Sequence, residues 1–216
     1  MSIMMLSFLL GMILSGVWFG STYVLKLVLN GSKYPTLLKF SGALSAFIPT
    51  IAILFLNEQY LLNMQKIGDW HWWIASLFSA VIAALIIFQN PIGDLPQGKE
   101  LIWYGFEGAM MEIPQRLMMQ SFVWCILRRF GTEDALYISI PITALIWCIS
   151  ILIQNLIFRV KFSIQTIREI LASAFFSISV GYILAETMCL LFPMAAHFSE
   201  RIISTLLRVY QTRRYT

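Results

Sequence analysis

Two acids and a guanidinium stand inside an apolar run. Residues 103–125 read WYGFEGAMMEIPQRLMMQSFVWC, and Glu107, Glu112 and Arg116 interrupt a segment otherwise suited to a membrane helix. A charged group at bilayer depth is costly, so it normally faces a protein interior or a wet cavity and finds a partner there. Glu112 precedes Arg116 by four residues. A helix therefore sets both on one face, acid first, in the favourable order for an ion pair. Pro114 between them has no N–H and leaves the Met110 carbonyl without its usual donor, which predicts a kink. A second polar constellation lies in PMAAHFSER near the end of the chain. His197, Glu200 and Arg201 fall at i, i+3 and i+4 and share one helix face, which Ser204 continues. A histidine and a carboxylate brought from two helices into one membrane cavity can activate water as a general base or hold a metal ion. The plainer alternative is the wetted side of an interfacial helix.

The elements that must position these groups are membrane helices. The chain has 216 residues, of which 59% are hydrophobic and 12% charged, a profile outside that of soluble domains. Its 15 Lys plus Arg against 11 Asp plus Glu flank the apolar runs rather than cluster. That pattern suits lipid anchoring and topology selection, not nucleic-acid binding. Cys125, Cys148 and Cys189 each sit within an apolar run at no metal-ligand spacing, so they read as buried packing thiols. The chain lacks HExxH, a GxSxG elbow and phosphate-cradling glycine loops, and no cofactor or metal is expected.

Seven apolar segments can be drawn against the roughly 20 residues a helix needs to cross the hydrocarbon. They cover about 3–29, 37–56, 72–88, 103–125, 135–158 and 170–192, with a seventh starting at Pro193. The expected class is an all-α polytopic membrane bundle, with N-terminal transmembrane helices over 1–98 and a core plus basic tail over 99–216. The first segment has no basic residue before Lys26 and is longer than a signal core, so it reads as a retained span. Gly16 and Gly20 form a GxxxG, read as helix packing. Trp70, His71, Trp72 and Trp73 read as an interfacial belt. A ligand or acid–base role for His71 lacks a nearby partner other than Asp69. Turns are expected at NGSKYP and over the Pro- and Gly-rich QNPIGDLPQGKE. Residues 159–169 read as a connecting loop or a short interfacial helix. Basic residues collect on one side if the N-terminus is outside: Lys26, Lys33, Lys39, Lys99, Arg159, Lys161, Arg168, Arg208, Arg213 and Arg214. The positive-inside rule then gives N-out and C-in, in a plasma membrane, with Arg128 and Arg129 against it.

The order of these pieces resembles a known family. MMEIPQRLMM is similar to the EExxxR helix of the CPBP family, the CAAX prenyl proteases and bacteriocin-processing membrane proteins. GYILAETMCLLFPMAAHFSER resembles that family's closing segment, GYLYLxTGxLWPxIxxHxxxN. The likeness runs from Trp103 to about Ser204 and implies a CAAX-protease-like core in the second half. It makes Glu112, Arg116 and His197 the surviving site residues. It also puts the family's water-activating glutamate on Met111, and the Phe and His of its FxxxH motif on Trp147 and Ile151. Arg201 stands where the closing Asn is usual. Glu107, one turn before Met111 on the same face, is the candidate replacement acid.

The expectation is therefore a membrane scaffold or regulator without proteolytic activity. Its partners would be the lipid bilayer and another membrane protein, or a lipidated or leader peptide. The alternatives are an active intramembrane CAAX-type peptidase built on Glu107, Glu112 and His197, or a small transport or channel subunit whose buried charges line a path.

Overall fold

The computed structural model describes residues 2–30, 35–57, 63–88, 96 and 98–215. The described residues are helical, with no strand among them. In chain order the helices are α1 (Ile3–Leu29), α2 (Pro35–Lys39), α3 (Ser41–Asn57), α4 (Trp70–Ile87), α5 (Lys99–Met110), α6 (Ser121–Arg129), α7 (Ala135–Ile157), α8 (Ile164–Thr187) and α9 (Leu191–Tyr215). A π-helical segment, Ile113–Gln120, joins α5 to α6, and a short 3-10 turn, Met64–Gly68, precedes α4. Among the described residues four helices are long and apolar enough to cross a membrane: α1, α4, α7 and α8, with mean hydropathies of 2.0, 1.8, 2.3 and 1.6. The turn expected at residues 31–34 and most of the connection expected over 89–97 lie outside the described residues.

The segment holding Glu107, Glu112 and Arg116 is not one kinked helix. It is three pieces in succession, and Pro114 accounts for the break. With no N–H at Pro114, the backbone widens into π-type turns that resume regular pairing only at Ser121, whose hydroxyl donates to the Arg116 carbonyl at 3.2 Å. The loop expected over 159–169 is also shorter than its composition suggests. Ser163 and Thr166 form a capping box, so Ile164 onward already belongs to α8. That helix ends at Met188, whose left-handed φ of 51° turns the chain into α9 ahead of Pro193.

Two groups of helices pack side by side. One contains α4, α5, α8 and α9; the other contains α1, α3, the π segment, α6 and α7; and α7 packs on α8 between them. The second group encloses the main apolar core, with Trp18, Met118, Met119, Val123, Leu127 and Trp147 buried. Trp18 meets Trp147 edge-on with ring centroids 5.3 Å apart. Gly16 and Gly20 do not make the close approach that GxxxG suggests, since an added Cβ at either would meet nothing within 4 Å. The neighbouring face of α1 carries the polar contact instead, Ser15 Oγ to Ser150 Oγ at 2.9 Å. His71 is exposed and stacks on Trp70 at 4.0 Å between ring centroids, while Trp73 donates to the Ile67 carbonyl at 2.8 Å. The three cysteines are buried and free.

Gly131 closes α6 with φ of 70°. Its N–H bonds the Arg128 carbonyl at 3.0 Å, and that of Thr132 bonds the Leu127 carbonyl at 3.1 Å, which together make a Schellman motif. Gly131→Ala forces an L side chain into this conformation and should destabilise the protein by about 1 kcal/mol. Thermal unfolding in detergent should show the loss, with Gly68→Ala, in open space and with no positive φ, as the unchanged control.

Candidate functional site

The π segment presents Glu112, Arg116 and Gln120 at four-residue steps along one face, and all three side chains are buried. Glu112 and Arg116 are 0% exposed. Arg116 Nε donates to Glu112 Oε2 at 3.1 Å, and one terminal nitrogen donates to Gln120 Oε1 at 3.1 Å. The other terminal nitrogen reaches across to α8 and donates to Ser177 Oγ at 3.3 Å. Gln120 returns a bond to the same helix, Nε2 to the Gly181 carbonyl at 3.4 Å. The guanidinium thus spends its donors on three different side chains, which is the condition for burying it.

The last helix closes the network. His197 on α9 lies with Nδ1 2.6 Å from Glu112 Oε1, so the one carboxylate holds a guanidinium with one oxygen and an imidazole with the other. A carboxylate only accepts, so the proton of this contact lies on Nδ1. Phe176 of α8 meets the imidazole edge-on at 5.1 Å. Two glycines make room for these groups. A Cβ at Gly108 would lie 3.1 Å from both His197 Cδ2 and the His197 carbonyl oxygen, and one at Gly181 would lie 3.1 Å from an Arg116 terminal nitrogen.

Of the residues singled out by sequence, Glu112, Arg116 and His197 meet and Glu107 does not join them. Its carboxylate pairs with Lys39 of α2 at 3.6 Å, where both side chains are partly exposed. Helix geometry explains this: Glu107 shares its face with Met111, whose N–H bonds its carbonyl at 3.2 Å, whereas Glu112 is five residues on and points to another side. Glu200 and Ser204 are buried on the His197 face of α9. Arg201 donates to the Tyr104 hydroxyl at 2.6 Å and lies over its ring. Gln120 extends the four-residue spacing of Glu112 and Arg116 and could have been found from it. Ser177, Gly181 and Tyr104 carry no such signal.

His197 lines a cavity of about 460 Å³, within the size range of small-molecule sites. Met111, Trp147 and Ile151 are in the same wall, as are Trp18 and Phe176. The carboxylate of Glu112 sits behind the imidazole and does not itself line the cavity. Chemically, the arrangement offers the cavity one oriented histidine, an aromatic and aliphatic surface, and the charged side chains of Lys26, Lys39, Glu169, Glu200 and Arg201. No group of three or more His, Cys, Asp or Glu among the described residues is placed to hold a metal ion. Comparison with family models, curated proteins and solved structures finds no match for this chain.

Removing one member of a buried pair strands the other. Glu112→Ala should cost about 3–5 kcal/mol because the Arg116 guanidinium is left uncompensated. The double variant Glu112→Gln, Arg116→Met should recover part of that loss. Thermal unfolding of the single and double variants in detergent measures both, and a double variant less stable than Glu112→Ala would contradict the pairing.

Proposed function

We propose that this chain is a CPBP-like integral membrane protein that does not hydrolyse peptides and acts as a scaffold or regulator. Its partner would be another membrane protein, or a lipidated or leader peptide, engaged at the cavity beside His197. The observation that carries this reading is the identity of the cavity wall. Met111, Trp147 and Ile151 occupy the three positions at which the resemblance calls for the water-activating acid and the Phe and His of the second motif, and all three line the cavity. None can take or give a proton to an attacking water.

Glu112 and Glu107 support the same conclusion, and Glu200, in the wall one turn from His197, lies 3.7 Å from Arg201 Nε. Glu112 has both oxygens committed, to Arg116 and His197, and no exposed surface. Glu107 pairs with Lys39 and is absent from the wall. In this reading the Glu112–Arg116 pair is structural, fixing the broken central segment against α8 and α9. Seven crossings follow if α3, the α5–π–α6 run and α9 join the four longer apolar helices in spanning. The orientation proposed is N-out and C-in in the plasma membrane, because Lys26, Lys39, Arg168 and Arg208 fall toward one common end of the helices. One observation favours an intramembrane peptidase instead: His197 faces the cavity with a carboxylate behind it, as a general base with its orienting group would.

Protein in nanodiscs, incubated with a prenylated CAAX peptide or a leader peptide, should show no turnover above the Glu112→Ala control. Turnover that is lost in His197→Ala would establish the peptidase reading in its place. A photo-crosslinker at Met111 should capture a membrane partner from cells, and the same label at exposed Phe55, outside the cavity, should not.

A further inference from the structure

We propose that the cavity binds a single-chain anionic lipid, with the acyl chain against the aromatic floor and the charged head at the lysine-bearing mouth. This deepens the reading of the cavity as a binding site and rests on it. The polarity of the wall changes in one direction along two helices. On α1 it passes from Trp18 through Thr22 to Lys26, and on α7 from Trp147 through Ile151 to Gln154. These residues recur about once per turn, so each helix lends one face to the cavity from end to end. At 1.5 Å per residue, Trp18 to Lys26 covers about 12 Å along the axis. The space is therefore elongated, apolar at depth and polar at its mouth, which is the shape and polarity of an amphiphile.

Charge at the mouth selects the sign of the head. The wall holds the cations Lys26, Lys39 and Arg201 and the acids Glu169 and Glu200. Glu200 is engaged, 3.7 Å from Arg201 Nε. Lys39 shares the outer Glu107 at 3.6 Å in a partly exposed pair that a competing anion can replace. No carboxylate among the described residues pairs with Lys26. A second observation points to an acceptor-bearing guest. Ser41, 0% exposed and two residues from Lys39, stands in the wall and has a hydroxyl without a hydrogen-bond partner among the described residues. Buried donors of this kind are normally satisfied, and a carboxylate or phosphate monoester supplies acceptors. A neutral lipid lacks the charge for Lys26, and a cationic one is repelled by it.

The test is quenching of tryptophan fluorescence by bromine-labelled single-chain lipids, on the full chain in zwitterionic nanodiscs. Trp18 and Trp147 line the floor, so a bromine at the end of the chain reports entry. Bromoundecanoate and a bromoalkyl phosphate should each quench saturably, and unlabelled fatty acid should reverse it; the two arms separate a carboxylate head from a phosphate head. The bromoundecanoate methyl ester should quench only in proportion to its concentration in the bilayer. Lys26→Glu, an exposed change that leaves the core untouched, should weaken the saturable phase about fivefold or more. Equal quenching by acid and ester, quenching that never saturates, or an unchanged Lys26→Glu variant would overturn the proposal. Peptide turnover would overturn the non-proteolytic reading and leave lipid binding standing, whereas failed quenching would remove the lipid and leave the peptide result untouched.

Discussion

A carboxylate and a guanidinium with no exposed surface cannot be placed without partners for every remaining hydrogen-bonding position. In this chain Glu112 and Arg116 recruit those partners from α8 and α9 as well as from their own segment. The requirement fixes more than one pair. Arg116 must reach Ser177, Glu112 must reach His197, and Gly181 and Gly108 must stay small enough to let the helices approach. Burial of such a pair contributes little net stability compared with apolar packing, but a misplaced helix leaves a charge uncompensated, so the arrangement discriminates strongly against alternatives. The π segment is the local means to this end, because it sets three long polar side chains on one inward face where Pro114 would otherwise interrupt the helix.

The cavity follows from that constraint. With the carboxylate held behind the imidazole, the groups left facing the open space are a histidine edge, the aromatic and aliphatic side chains of α1, α7 and α8, and the charged side chains of Lys26, Lys39, Glu169, Glu200 and Arg201. The polar residues gather at one end, where α1 and α7 finish and α8 begins. Lys26 and Glu169 therefore mark a boundary between apolar interior and wetter mouth.

Much of this was legible in the residues themselves. Hydropathy gave the helical class, and the four-residue spacing of Glu112 and Arg116 gave their pairing, because both are local properties. The meeting of Glu112 with His197 came from the wish of a buried charge for a partner and from the resemblance of two motifs, not from spacing. Glu107 shows where such reasoning stops. Its register with Met111 holds, since the Met111 N–H bonds the Glu107 carbonyl at 3.2 Å, yet Glu112 lies one residue further round the helix and the Glu107 side chain goes to Lys39 instead. Gly16 and Gly20 fail for a different reason: a motif states that close approach is permitted, and only the global arrangement decides whether a helix arrives. Ser177 and Tyr104 were invisible because their roles exist only through contacts between distant segments.

The separation of 85 residues between Glu112 and His197 bears on how the molecule is made. During synthesis the central segment emerges long before α9, so its carboxylate and guanidinium must find partners while the imidazole does not yet exist. The Arg116 bonds to Glu112 and Gln120 lie within a single stretch of nine residues and can form at once, shielding both charges as a self-contained unit. Docking of the final helix then exchanges a provisional neighbour for the imidazole, so assembly completes from the carboxyl-terminal end. Until α9 docks, the ion pair can already stand while the cavity lacks the wall that His197, Glu200 and Arg201 supply.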